Sequence, residues 1–110
     1  MRMPRLIPRS LLKPNVRCAQ ATLESLQGKR LKAVMGGSFQ NRHIVVVPHN
    51  VRGNREVTSA ALRTLCESAA SKAVERRGGG QVKYEITRDF TSGTAEHPKP
   101  NWAIKFTLKK

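Results

Sequence analysis

The sequence predicts a small α+β domain, a two-layer α/β fold of order β-β-α-β-β in which one main helix packs on a four-stranded mixed sheet. Three observations lead to this prediction. His43–Val47 is a β-branched run, Asn54–Arg77 carries apolar residues at helical spacing, and two segments near the end of the chain alternate with a period of two. The 110 residues suffice for one such domain preceded by a basic N-terminal extension.

Residues 1–28 are predicted to form a basic extended arm with room for a short helix, and residues 29–110 the α/β domain. Pro4, Pro8 and Pro14 favour extended backbone in the arm. The short helix would start at Asn15 or Thr22 and end at Gly28.

The first half of the domain is predicted to hold two strands. Leu31–Met35 alternates weakly and predicts the first, and Gly36–Ser38 predicts a turn after it. The uninterrupted apolar run His43–Val47 predicts a central strand that is buried on both faces. Pro48 ends that strand, and the polar residues 48–54 predict a loop.

The main helix is predicted to have Asn54 as its N-cap and to stop at glycines 78–80, after Arg76 and Arg77. Its expected buried face consists of small and apolar residues: Ala61, Leu62, Leu65, Cys66, Ala69 and Ala73. The last two strands are predicted within residues 81–87 and 102–109, with a long loop from Arg88 to Asn101 between them. If the strands on either side of the helix are parallel neighbours, they form a β-α-β unit, which makes the sheet mixed.

Positive charge is concentrated in the first half of the chain. The net charge is +14, and residues 1–55 hold eleven Lys and Arg against one acid, Glu24. Residues 56–110 hold ten Lys and Arg against six acids. Such an excess indicates a polyanionic partner, and for a small basic chain the expected polyanion is nucleic acid.

Residue types that perform catalysis or hold metals are not grouped in this sequence. The three histidines have no Cys, Asp or Glu at ligand spacing, and Cys18 and Cys66 form no C-x-x-C pair. The glycine segments match no dinucleotide-binding or phosphate-binding loop. We therefore expect no enzymatic activity, no catalytic residues, no metal, no cofactor and no small-molecule substrate, with the cysteines reduced. No apolar run reaches the length of a membrane span, so no membrane insertion is expected.

Candidate RNA-binding residues lie in the arm, just after it, in the loop before the main helix and at the end of that helix. Arg outnumbers Lys eight to three in residues 1–55, and Arg makes bidentate contacts with phosphate. In the loop, Arg and Asn donors next to a helix N-terminus suit phosphate and 2′-hydroxyl groups. The full set is Arg2, Arg5, Arg9, Lys13, Arg17, Lys29, Arg30, Lys32, Arg42, His49, Asn50, Arg52, Arg55, Arg76 and Arg77.

This combination resembles ribosomal proteins as a class, in which a compact domain sits on rRNA while a basic extension threads between RNA helices. The resemblance is carried by the arm of residues 1–17, the cluster at 29–32, and the loop that holds Arg52 and Arg55. Because residues 1–23 are basic, contain Ser10 and have no acid, they also resemble a mitochondrial transit peptide. The chain therefore looks most like a mitochondrial ribosomal protein.

The resemblance implies a structural constituent of a ribosome that binds rRNA through phosphate-backbone contacts and touches neighbouring ribosomal proteins. It implies a place in the mitochondrial matrix within a ribonucleoprotein, with a cytoplasmic location left open. Two alternatives remain at this point. One is a free-standing nucleic-acid-binding module, such as a nucleoid or RNA-processing factor. The other is an accessory subunit of an organellar membrane complex, with its arm on anionic lipid.

Overall fold

The computed structural model of the protein describes residues 12–39, 42–92 and 99–109. In chain order the elements are α1 (Pro14–Gly28), β1 (Val34–Phe39), β2 (Arg42–Pro48), α2 (Ser59–Arg77), β3 (Val82–Ser92) and β4 (Lys99–Leu108). Residues from both helices and from the sheet share one hydrophobic core. The predicted α+β class is confirmed, but two helices contact the sheet where one main helix was expected.

The sheet has the order β1-β2-β4-β3, and every neighbouring pair is antiparallel. The predicted mixed sheet is therefore wrong. Strands β2 and β3 do run in the same direction, but β4 lies between them and is antiparallel to both. The helix α2 carries the chain to the far edge of the sheet, and the hairpin from β3 to β4 then fills the gap.

The glycines after Met35 lie within a strand, so the predicted turn at residues 36–38 is wrong. Strand β1 continues to Phe39, and its register with β2 shifts between Met35 and Gly37. A Cβ atom on Gly36 would lie 2.6 Å from the Cγ2 atom of Val46. Glycine at this irregular position therefore gives Val46 room on the neighbouring strand.

Helix α1 begins with Pro14 at its first position, which tolerates proline because the N–H there needs no helical partner. The helix ends at Gly28, as predicted. Its residues Cys18, Ala19 and Leu26 are fully buried in the core. Part of the segment predicted as an arm is therefore a 15-residue helix packed against the rest of the fold.

Helix α2 begins later than the sequence predicted. Its N-cap is Thr58, whose hydroxyl oxygen accepts a hydrogen bond from the Ala61 N–H at 3.1 Å, so the prediction of Asn54 as N-cap is wrong. The helix end is as predicted, with Arg76 and Arg77 in the last turn and Gly78 as the C-cap residue. A Cβ atom on Gly78 would lie 2.6 Å from the carbonyl oxygen of Val74, which explains glycine there.

The core lies between the helices and one face of the sheet. Val45 and Val47 of β2 face the helices together with Ile104 and Phe106 of β4, and all four are fully buried. On the opposite face, the register places Lys83 and Thr107 side by side, and Glu85 beside Lys105. The predicted loop at 88–101 is wrong at both ends, because residues 88–92 and 99–101 belong to β3 and β4.

Both cysteines are free and buried where α1, α2 and the sheet meet. The Cys18 thiol donates to the carbonyl oxygen of Ala73 at 3.5 Å. Burial raises the pKa of Cys18, while the nearby Arg17 charge lowers it by a smaller amount. Burial also raises the pKa of the Cys66 thiol, to about 11.

The raised pKa of Cys66 predicts a loss of stability at high pH. The unfolded chain releases the thiol proton near pH 9.0, whereas the folded chain holds it to about pH 11. Below pH 9 the thiol is neutral in both states, and above it the unfolded state binds fewer protons, so stability falls as pH rises. We expect Cys66 to contribute a loss of about 2 kcal/mol between pH 8.5 and 10.5.

Urea unfolding at the two pH values measures this loss, with Cys66→Ala as the control for every other titrating group. The substitution itself destabilises the core, so the quantity compared is the change with pH and not the absolute stability. If the Cys66→Ala protein shows the same pH-dependent loss as the wild type, the thiol is not responsible.

Candidate nucleic-acid interface

The two helices lie antiparallel, which creates two distinct ends of the fold. At one end the start of α1 meets the end of α2, because Arg17 Nη2 donates to the carbonyl oxygen of Arg77 at 3.3 Å. At the other end α1 finishes beside the loop that leads into α2. The 15 residues of α1 span about 22 Å, so the two ends are well separated.

The arm-side end is the one where α1 begins and α2 ends. We define it by five basic residues: Lys13, Arg17, Arg76, Arg77 and Lys109. Four of them are exposed, and Arg17 is half-buried. Lys109 is held there because its N–H donates to the carbonyl oxygen of Gln81 at 2.7 Å, just beyond the end of α2. Four of the five are predicted site residues, and Lys109 was not predicted.

Arg17 has a structural role at this end as well. One guanidinium nitrogen donates to the carbonyl oxygen of Leu12 at 2.6 Å, and the other reaches the last carbonyl of α2. The carbonyl groups at a helix C-terminus carry partial negative charge, which a guanidinium stabilises. Arg17 therefore joins the start of α1 to the end of α2, and it has less capacity left for phosphate than its exposed neighbours.

A groove between α1 and α2 continues from the arm-side end. Small residues, among them Ala21, Ala69 and Ala73, line the groove together with Lys72, Arg76 and Arg77. One acid, Glu24, also lines it. Positive charge is therefore present both at the end of the helix pair and along part of the groove.

The loop-side end carries the second basic cluster, which we define by Lys29, Arg30, Lys32, Arg52 and Arg55. All five side chains are exposed. Part of this charge is neutralised locally, because the Glu56 carboxylate lies 3.6 Å from Arg55 Nε and also accepts a hydrogen bond from the Gly53 N–H at 2.7 Å. The net charge at this end is therefore lower than the number of cations suggests.

Asn54 holds the loop-side cluster together. Its side chain is fully buried, and its carbonyl oxygen accepts a hydrogen bond from the Lys32 N–H at 2.8 Å. Its amide nitrogen donates to the carbonyl oxygens of Lys32 and Pro48, at 2.8 and 2.6 Å. One side chain thus joins the segment before β1, the end of β2 and the loop before α2. Asn54 lies in the loop, as predicted, but it is not the N-cap of α2.

Arg30 has an unusual backbone conformation. Its φ angle is 64°, and it is the only non-glycine residue with positive φ in the described part of the chain. It lies just after α1, where glycine is the common choice, and the Arg30 N–H donates to the carbonyl oxygen of Gln27. An exposed Arg in a position that favours glycine is consistent with a role for its side chain.

The remaining predicted residues are dispersed. Arg42 lies at the start of β2, opposite Thr107. His49 and Asn50 follow β2, and the His49 ring nitrogen Nε2 is 3.2 Å from the carbonyl oxygen of Val57. Arg2, Arg5 and Arg9 lie outside the described residues. The structure therefore brings the predicted cations together as two clusters and does not gather them on one side.

Several exposed cations lie outside the predicted set of site residues. Arg63 and Lys72 lie on the solvent side of α2, Lys83 lies on β3, and Arg88 lies in a segment predicted as loop. Helical spacing and strand alternation are the signals that mark Arg63, Lys72 and Lys83 as exposed. Arg88 could not be placed, because the sequence does not show that β3 extends to Ser92.

Metal-ligating side chains do not assemble within residues 12–39, 42–92 and 99–109, since no three His, Cys, Asp or Glu residues lie close enough to hold an ion. Burial lowers the pKa of His43, which faces Phe106 across the β2–β4 pair.

Searches against protein-family models, curated proteins and solved structures found no match to this chain.

Proposed function

We propose that this protein is a structural RNA-binding constituent of a ribosome that contacts rRNA through its phosphate backbone and performs no catalysis. The observation that supports the proposal best is the distribution of cations over the fold. Exposed Lys and Arg form one cluster at each end of the helix pair, in a chain of net charge +14. Exposed cations that converge on a polyanion give tight binding that is sensitive to salt.

The presence of two clusters favours a bridging role. The arm-side and loop-side ends lie at opposite ends of α1, about 22 Å apart along its axis. Each end can therefore contact a different RNA segment. A protein that joins two segments supports the folding of a large RNA, which is the work of a ribosomal constituent.

A mitochondrial ribosome is the specific particle we propose, with rRNA and neighbouring ribosomal proteins as partners. This part of the proposal rests on the sequence of the first 17 residues, which hold five Lys and Arg and no acid. Two of these five cations, Lys13 and Arg17, belong to the arm-side end. The segment would add to the charge that faces RNA.

Among the residues the structure describes, no helix is long and apolar enough to cross a bilayer. A membrane-complex subunit would instead have to use its cations on anionic lipid. Vesicles of anionic lipid are therefore a useful comparison in a binding assay, because preference for them over RNA would favour that alternative.

The salt dependence of RNA affinity tests the proposal. With five or six phosphates neutralised, the slope of log K against log salt concentration is expected to lie between about −3 and −5. The measurement is fluorescence anisotropy with a labelled rRNA fragment at constant pH and Mg²⁺. In cell extract, the tagged chain should sediment with ribosomal particles at low salt and leave them at high salt. A flat salt dependence, or a chain that sediments as a free dimer, would contradict the proposal.

A further inference from the structure

A cleft on the flank of the fold lies outside both basic clusters. It has a volume of about 630 Å³ and runs between the first half of α2 and the β3–β4 pair. Its lining consists of Ser59, Ala60, Arg63, Thr64, Glu67, Arg88 and Trp102. Much of this volume is open to solvent, so the cleft is a shallow depression on the surface and not an enclosed pocket.

Trp102 forms the inner wall of the cleft and has an unusual feature. The side chain is only 6% exposed, yet its indole N–H has no hydrogen-bond partner among the described residues. A buried indole N–H normally finds a partner, because leaving a buried donor unpaired costs about 1–3 kcal/mol. Trp102 also lines a narrow pocket beside the cleft, with His49, Arg88 and Asn101. The N–H itself is covered by protein atoms, so a ligand oxygen would reach it only after the side chains around Trp102 shift.

The donors around the cleft suit a phosphoryl group. Arg63 and Arg88 line the cleft from α2 and β3, and both side chains are exposed. Ser59 and Ala60 belong to the first turn of α2, where N–H groups have no partner within the helix and favour anions. Glu67 is the one carboxylate in the lining and opposes an anion, so the two arginines outweigh it by one charge.

We propose that this cleft binds a phosphoryl group, held by Arg63 and Arg88 with the first turn of α2 and Trp102 behind it. Two sources share this chemistry. One is a phosphate of the RNA, which makes the cleft a third contact on the proposed partner. The other is a free phosphate-bearing molecule. The RNA source rests on the proposed function, whereas the phosphoryl site itself does not.

The single tryptophan of the chain makes the cleft observable. Titration of the full chain with pyrophosphate, at constant ionic strength set with chloride, is expected to give a saturable change in Trp102 fluorescence. Arg63→Gln and Arg88→Gln should each weaken the affinity at least fivefold. Glu67→Gln should strengthen it severalfold, because it removes the opposing charge. Lys83→Gln, an equal loss of charge on the opposite face of the sheet, should leave it unchanged.

Titrations with two short RNAs identify the source of the phosphoryl group. Octauridylate with a 5′-phosphate and octauridylate with a 5′-hydroxyl are titrated in the same way. A response to both indicates backbone phosphate, a response to the first alone indicates a terminal phosphate, and a response to pyrophosphate alone indicates a free ligand. Each of these supports the site, provided that Arg63→Gln weakens it.

The proposal is overturned if pyrophosphate and both RNAs give no saturable change, or if Arg63→Gln and Arg88→Gln, shown to be folded by circular dichroism, titrate like the wild type. Failure of the cleft is separable from failure of the proposed function. If rRNA affinity keeps its steep salt dependence but Trp102 fluorescence shows no saturable change, only the proposed phosphoryl site is rejected. If pyrophosphate binds but rRNA does not, only the ribosomal proposal is rejected.

Discussion

Replacing Asn54 with alanine is expected to lower the free energy of unfolding by about 3 kcal/mol. The Asn54 side chain is fully buried and makes three hydrogen bonds to backbone groups of Lys32 and Pro48. Removing it leaves those groups without partners in a place that water reaches poorly, and this costs more than the bonds themselves contribute. A loss of this size is a large fraction of the stability of a small domain.

Urea unfolding followed by Trp102 fluorescence measures the effect of Asn54→Ala. Asn50→Ala is the matched control, because Asn50 lies in the same loop but is exposed, and its replacement should change stability by less than about 0.5 kcal/mol. Asn54 also holds the backbone of Lys32 beside the loop. The Asn54→Ala variant should therefore bind RNA more weakly even under conditions in which it is fully folded. A change below about 1 kcal/mol would show that the loop is not held in the way described.

Removal of three cations at the arm-side end is expected to weaken RNA binding by about 100-fold at 0.1 M salt. The variant carries Lys13→Gln, Arg76→Gln and Arg77→Gln, all at exposed positions. Each phosphate contact on single-stranded RNA contributes about 0.7 to the salt slope, so three contacts contribute about two powers of ten at 0.1 M relative to 1 M. Anisotropy titrations over a range of salt concentrations measure both the affinity and the slope.

The matched control removes the same charge from the loop-side end, with Lys29→Gln, Arg52→Gln and Arg55→Gln. Its effect should be at least several times smaller, because Glu56 already neutralises part of that cluster. Circular dichroism is needed to check that both variants are folded, because Arg76 and Arg77 also stabilise the last turn of α2 by about 0.3–1 kcal/mol each. Equal losses in both variants would mean that RNA responds to net charge alone.

The sequence was most informative where a local pattern determines local structure. The end of α2 at Gly78 follows from two arginines and three glycines, and the alternation within residues 82–86 and 102–108 marks strands with one apolar face. In each case the residues that set the structure are adjacent in the chain. The charge asymmetry is likewise a property of the sequence alone.

Local patterns misled where a distant residue decides the outcome. Gly36 and its neighbours look like a turn, but they pair with β2 as part of β1, and glycine at position 36 leaves room for Val46 on that strand. Asn54 looks like an N-cap, but its side chain forms hydrogen bonds with the backbone of Lys32 and Pro48 instead. In both cases the partner lies more than five residues away, and no periodicity records it.

Sequence alone determined the main helix, the strand β2, the alternating parts of β3 and β4, the basic character and the expectation of a polyanionic partner, because propensity, alternation and charge act within a few residues. Tertiary structure alone decided the strand order, since β4 enters between β2 and β3 through a pairing that no local signal specifies. It also decided where the charge lies. The antiparallel packing of α1 on α2 joins Arg17 to Arg77 and leaves Lys29 and Arg30 at the opposite end of α1, so that the cations form two clusters at the two ends of the helix pair.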